Sequence, residues 1–190
     1  MSENQSMGDY ILVYPDYSMW EYEEDICRQI LQQYGEIAEN SFLAENGVGL
    51  SGEIPRYNLE TLPFFQKVKD QETEETIIPR GHQYEKTEVP ENTRKSARYL
   101  GHGIHEYTGK FYPQLVSSIF SLLDLDRGDT VMDPFCGSGT TLYQGRLESL
   151  NTVGIDINPF SIYLSRAKIG TFEVDADALR EFTPAPVTLT

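Results

Sequence analysis

Positive charge is what this chain has least of. Lysine and arginine together number 15, against 30 aspartates and glutamates, which leaves a net charge of −15 at neutral pH. A protein that grips nucleic acid through its own surface presents a basic face, because neutralising phosphates supplies most of the affinity. Here 19 acidic residues stand against 9 basic ones up to residue 100, and 11 against 6 after it. Neither half reads as a clamp on a polyanion. Either such a grip lies on another polypeptide, or the host has a high-salt cytoplasm; the excess of arginine over lysine leans towards the second, and the two are compatible. Cysteine is nearly absent too. Cys27 and Cys136, far apart and in different contexts, exclude a disulfide framework, and without a CxxC or Cys/His cluster there is no zinc signature. Of the three histidines, His102 and His105 are metal ligands by type but have no third ligand near them in sequence. No apolar run approaches the roughly 18 to 20 residues that cross a bilayer. The acidic, polar start MSENQSMGDY is no signal or transit peptide, so the expected location is the cytoplasm.

What is present fits a folded chain: 39% hydrophobic and 24% charged residues in a length of 190, enough for one domain or one domain with an appendage. Residues 9–14 (DYILVY) read as a short buried strand ended by Pro15. Asp16 or Ser18 can cap a helix over 19–34 whose apolar face is Trp20, Ile26, Ile30, Leu31 and Tyr34, with Gly35 ending it. Residues 36–43 suggest a second strand, and Gly47, Gly49 and Gly52 a turn region. This β-α-β start, residues 1–65, is a small α+β module whose expected role is structural or partner-docking. Residues 66–99 are poor in apolar residues and read as a linker or extended arm. Arg80, Lys86, Arg94, Lys95 and Arg98 lie within it among as many acids.

From residue 100 onwards the rhythm becomes that of a parallel α/β sheet. A helix is expected over 113–123, with Leu115, Ile119, Leu122 and Leu123 at helical spacing and Pro113 in its first turn. A strand at 129–133, a helix at 140–149, a strand at 152–156 and a helix from Pro159 to about Ala167 follow. Between the first strand and its helix lies Asp133-Pro134-Phe135-Cys136-Gly137-Ser138-Gly139-Thr140-Thr141, where an open parallel sheet places its ligand. Gly137 and Gly139 let the backbone turn and approach a ligand with no Cβ in the way. The helix start suits a carboxylate or phosphate. Asp156, at the end of the next strand, is placed to accept hydrogen bonds from both hydroxyls of a ribose. The dinucleotide pattern GxGxxG is not met, and neither is a P-loop.

DPFCGSGTT followed by GIDINP resembles the first two motifs of the S-adenosylmethionine-dependent DNA amino-methyltransferases, which modify the exocyclic amine of cytosine or adenine. The upstream phrase HGIHEYTGKFYPQL, residues 102–115, resembles the motif that precedes them in that family. The resemblance covers roughly residues 100–168 and implies the fold: the first part of a Rossmann-like class I methyltransferase sheet, incomplete within 100–190. It implies S-adenosylmethionine as cofactor, with Lys110, Phe111 and Pro113 near its methionine moiety. Asp133, Phe135, Cys136, Gly137, Ser138, Gly139, Thr140 and Thr141 would wrap the methionine and its carboxylate. Asp156 would hold the ribose, and Ile157 and Asn158 would flank the adenine. Cys136 is expected to shape the loop and not to act as a nucleophile.

One part of the family pattern is missing. Its members hold the target amine in an [Asp/Asn/Ser]-Pro-Pro-[Tyr/Phe/Trp] loop, and this sequence has no Pro-Pro pair. The resemblance therefore implies a split subunit or truncated chain with no catalytic residue of its own. DNA would be met through a complete enzyme, and a second polypeptide or further sequence would bring the catalytic loop and the target recognition region. An RNA base methyltransferase fragment and a non-catalytic partner protein with a methyltransferase fold are the alternatives.

Overall fold

The computed structural model describes residues 9–38, 46–86, 99–175 and 177. Its first half is an antiparallel five-stranded sheet in the order β2-β3-β1-β4-β5. The strands are β1 (Tyr10–Val13), β2 (Gly35–Ala38), β3 (Gly47–Gly52), β4 (Lys67–Asp70) and β5 (Thr76–Ile77). Helix α1 (Glu21–Gln32) joins β1 to β2, and α2 (Arg56–Thr61) joins β3 to β4. Since β1 and β2 are both antiparallel to β3, which lies between them, they run parallel to each other. The result is a split β-α-β-β-α-β arrangement.

Register explains its core. Leu12 lies opposite both Val48 and Val68, and Leu50 lies opposite both Tyr10 and Ile37, so period-2 alternation puts all of them on one face. That face packs against Cys27, Ile30 and Leu31 of α1 and against Ile54, Leu59, Leu62, Phe64 and Phe65.

Several elements differ from what the sequence suggested. Trp20, not Asp16 or Ser18, caps α1, with its backbone N–H donating to Glu23 at 2.9 Å, and the Trp20 ring is half exposed, off the apolar face. Gly35 begins β2 two residues beyond the helix. The glycines at 47, 49 and 52 lie in β3, where a β strand lacking side chains at alternate positions still satisfies its ladder. Within the expected linker, β4 and β5 pair through Val68 and Ile77, both buried. Single apolar residues flanked by charges are enough for an edge region covered on one face only. Helix α3 (Arg80–Lys86) follows. Residues 39–43 of the expected second strand, and Arg94, Lys95 and Arg98, lie outside the described residues.

The second half has a two-stranded parallel sheet, β6 (Thr130–Asp133) and β7 (Asn151–Gly154), linked by α5 (Thr140–Leu147) and flanked by α4 (Pro113–Leu122) and α6 (Pro159–Gly170). Expected and observed elements agree closely here, and the α/β class stands. The buried face of α4 is different: Val116, Ser117, Phe120 and Ser121 point inwards while Ile119 and Leu123 are exposed. Serine is tolerated inside because its hydroxyl finds a local acceptor, as Ser118 Oγ does at Gln114 O, 2.7 Å away. The halves are joined by polar contacts: Tyr57 OH donates to Glu148 O at 2.8 Å, Tyr34 OH to Asp124 at 2.9 Å, and Gln33 Nε2 to Leu122 O at 3.1 Å.

Glu148 sits buried at this junction. Its carboxylate accepts from Ser117 Oγ at 2.6 Å and from Gln144 Nε2 at 2.8 Å. Burial outweighs those donors and the charge of Arg80, and pushes its pKa up from 4.5 to about 7. Stability from a carboxyl raised in the folded state is complete below its ordinary pKa and is lost as pH rises through the folded one. The chain is thus expected to lose stability between pH 4.5 and about 7, and Glu148→Gln to flatten that slope. Urea midpoints measured at both ends of the window check it; an unchanged slope in the variant assigns the loss elsewhere.

Candidate cofactor site

The loop from β6 to α5 is held by its own backbone. Asp133 Oδ1 accepts from Phe135 N at 3.0 Å, Cys136 N donates to Ile155 O at 2.9 Å, and Gly139 N donates to Cys136 O at 2.7 Å. Gly137 and Gly139 have φ of +50° and +79°, the left-handed region that glycine enters without penalty. Across the strand ends, Asp156 ties this loop to the next one. Its Oδ2 accepts from Gly137 N at 2.8 Å and its Oδ1 from Asn158 N at 2.8 Å. A carboxylate offers about four lone-pair sites, so both oxygens keep accepting capacity for a ligand hydroxyl.

Helix α6 supports the loop from the side. Ser165 Oγ donates to Gly137 O at 2.9 Å, and one turn earlier Ser161 Oγ pairs with Tyr107 OH at 2.8 Å. Next to Tyr107 is a cavity of about 290 Å³ lined by His102, Gly103, His105, Glu106, Tyr107, Thr108 and Lys110. Lys110 Nζ donates to His102 O at 2.7 Å. Lys168 is buried nearby, and its Nζ has no hydrogen-bond partner. Burial and then the charge of Lys110 lower its pKa to about 8. His102 is buried as well, and burial, followed by the charges of Lys110 and Lys168, lowers its pKa to about 3 against the pull of Gln144. The imidazole is therefore neutral at physiological pH, and cationic charge under this segment rests on the two lysines.

The residues singled out in the sequence fall into groups. Asp133, Phe135, Cys136, Gly137, Ser138, Gly139 and Asp156 surround one loop junction. Thr140 and Thr141 open α5, with Thr140 buried. Ser138 Oγ is buried without a partner, a donor that folding leaves unused. Phe135, Phe111 and Ile157 are exposed, Ile157 completely, so apolar surface rims the junction. Asn158 caps α6, its side chain accepting from Phe160 N at 3.0 Å. Pro113 is buried at the first turn of α4 and does not line the cavity. Cys136 is buried, and burial pushes its thiol pKa up, the opposite of what a nucleophile needs. Sequence reading missed Tyr107, Ser161 and Ser165; only the serine spacing of four on a helix hinted at a shared face. Among the described residues no three metal-ligating side chains converge, and no helix is long and apolar enough to cross a membrane.

Comparison with known proteins agrees with this geometry. Residues 5–167 match the family model described as DNA methylase. The type II methyltransferase M.MjaII of Methanocaldococcus jannaschii is 45% identical over 73 residues, 38% of this chain and 14% of that protein. M.BsoBI of Geobacillus stearothermophilus is 36% identical over 78 residues, 41% of this chain and 15% of that one. The tRNA (guanine(10)-N2)-dimethyltransferase of Methanothermobacter thermautotrophicus is 36% identical over 52 residues, covering 27% and 16%. These matches span a small part of each relative's length. The family model spans most of this chain, and the chain belongs to the DNA methylase family.

Proposed function

We propose that this chain supplies the S-adenosylmethionine-binding part of a DNA methyltransferase acting on the exocyclic amine of cytosine or adenine. The observation that carries the reading is Asp156 bound to the N–H of Gly137, which brings a ribose-type acceptor and a glycine cradle into one junction. The residues fit the group: the unused Ser138 hydroxyl, the glycines at positive φ, and cationic Lys110 in the adjoining cavity match a ligand with a carboxylate end. Bound there, the cofactor supplies a methyl group on a sulfonium centre, open to attack by a nitrogen lone pair. Asp156 holds the ribose, the glycine loop and Lys110 take the amino-acid end, and Ile157 and Phe135 cover the apolar faces. The sheet is the first part of a Rossmann-like methyltransferase sheet, and the catalytic loop and target recognition region come from further sequence in cis or from a second polypeptide.

Asp156→Ala removes charge-assisted hydrogen bonds of about 1.5–3 kcal/mol each and releases the Gly137 N–H. At least a tenfold loss of affinity for S-adenosylmethionine is expected by calorimetry. Equal affinity in wild type and variant rejects the site. A base in RNA is the second reading, favoured by the match to a tRNA methyltransferase; supplying tRNA and DNA in parallel to the complete enzyme separates the two.

A further inference from the structure

Helix α6 touches both walls of the cavity beside the glycine loop. Ser165 Oγ holds the Gly137 carbonyl at 2.9 Å, and Ser161 Oγ holds the Tyr107 hydroxyl at 2.8 Å. Both serines are buried. Near the helix start, Phe160 receives the ring of His105 edge-on, with centroids 5.8 Å apart. Thus the segment 99–112 rests on α6 through His105 and Tyr107, while the glycine loop rests on it through Ser165. A Cβ built on Gly137 would lie 3.4 Å from the Tyr107 ring, so the ring and the loop already face each other at van der Waals distance.

We infer that Tyr107 closes the amino-acid end of the ligand pocket, and that Ser161 and Ser165 are positioning residues setting the gap between Tyr107 and the glycine loop. The inference rests on the reading of this junction as a cofactor site. The direction follows from charge. Asp156 is an acceptor for sugar hydroxyls, whereas the cavity that Tyr107 lines also holds Lys110, with the Lys168 ammonium close enough to be shifted by it. The anionic end of the ligand belongs on the Tyr107 side. The Ser161–Tyr107 bond joins residues 54 apart in sequence and gives the ring one orientation; without it the ring keeps its packing but loses its anchor. Ser165 acts on the loop itself, and through Gly137 on Asp156, so its effect reaches the ribose as well.

Two probes separate these roles in the full chain: S-adenosylmethionine, and 5′-methylthioadenosine, which lacks the amino-acid end. Tyr107→Phe keeps the ring and removes one hydroxyl, so folding is preserved. One net hydrogen bond corresponds to about a three- to tenfold change. Tyr107→Phe and Ser161→Ala are each expected to weaken S-adenosylmethionine by about that factor and methylthioadenosine by less than twofold. The double variant should be no weaker than either single one, because both remove the same bond. Ser165→Ala should weaken both probes alike. Equal losses for both probes in Tyr107→Phe, or no loss, overturn the inference while leaving the cofactor site standing. Binding of neither probe by wild type overturns the cofactor reading itself, and the inference with it.

Discussion

Gly139→Val is expected to abolish S-adenosylmethionine binding, and the reason lies in a helix distant in sequence. Gly139 caps α5 at φ +79°, where a β-branched residue is a genuine outlier. A Cβ there would stand 2.8 Å from Ser165 Oγ and 3.0 Å from Ser165 Cβ, inside any tolerable contact. Ser165 belongs to α6, so valine forces α6 away from the loop and breaks the Ser165–Gly137 bond. Backbone strain alone costs about 1–3 kcal/mol, and the clash adds to it. Gly137→Ala is the internal comparison. Its φ is +50° and its Cβ would meet only the Tyr107 ring at 3.4 Å, an ordinary contact, so a milder loss is expected. Calorimetry reads the binding. Fluorescence of Trp20, the only tryptophan, reports whether the N-terminal half is still folded. Wild-type affinity in Gly139→Val shows the loop to be a turn and nothing more.

The sequence pattern was most legible where one local signal decides one local structure. Pro113 and Pro159 open helices, Asn158 caps one, and the glycine loop follows a strand, all from rules spanning a few residues. The ligand-side face was legible for the same reason, since Asp133, Gly137, Gly139 and Asp156 belong to two contiguous strings. The parts that escaped depend on partners far along the chain. Residues 67–77 looked like solvated connector, and they are strands because Leu12 stands opposite Val68 across the sheet. The inward face of α4 is written in serines, whose burial is made tolerable by contacts such as Ser117 to Glu148, 31 residues away. Tyr107 and Ser161 become a pair only after the chain has passed through β6, α5 and β7. Nothing in the spacing of a tyrosine and a serine announces such a bond.

This chain alone is not expected to methylate DNA. An exocyclic amine on a base is a poor nucleophile, because its lone pair is delocalised into the ring. Transfer needs acceptors that draw the nitrogen towards tetrahedral geometry and an aromatic ring stacked on the flipped base. The family supplies these from a Pro-Pro loop, and this sequence has no Pro-Pro pair. Asp133-Pro134-Phe135 and Asn158-Pro159-Phe160 are the nearest imitations. The first has its carboxylate bound to Phe135 N, and the second has its amide capping α6. The net charge of −15 adds little grip on phosphate at ordinary salt. The sheet points to where the missing part docks. Met132 and Val153 are register partners in β6 and β7, and they are 62% and 46% exposed, with Ile155 beyond them at 53%. A parallel sheet is stable with both faces covered, so the remainder of the methyltransferase domain belongs on this apolar face. Association there should be driven by apolar burial and persist in molar salt, and Met132→Asp should weaken it. The measurement is transfer of a tritiated methyl group to mixed-sequence DNA at low and at molar salt. It compares the purified chain, the chain with a polypeptide carrying a Ser/Asp-Pro-Pro-Tyr loop, and Met132→Asp with that polypeptide. Transfer by the chain alone refutes the expectation. Transfer that needs the added polypeptide and falls with Met132→Asp establishes both the division of labour and the face that joins its halves.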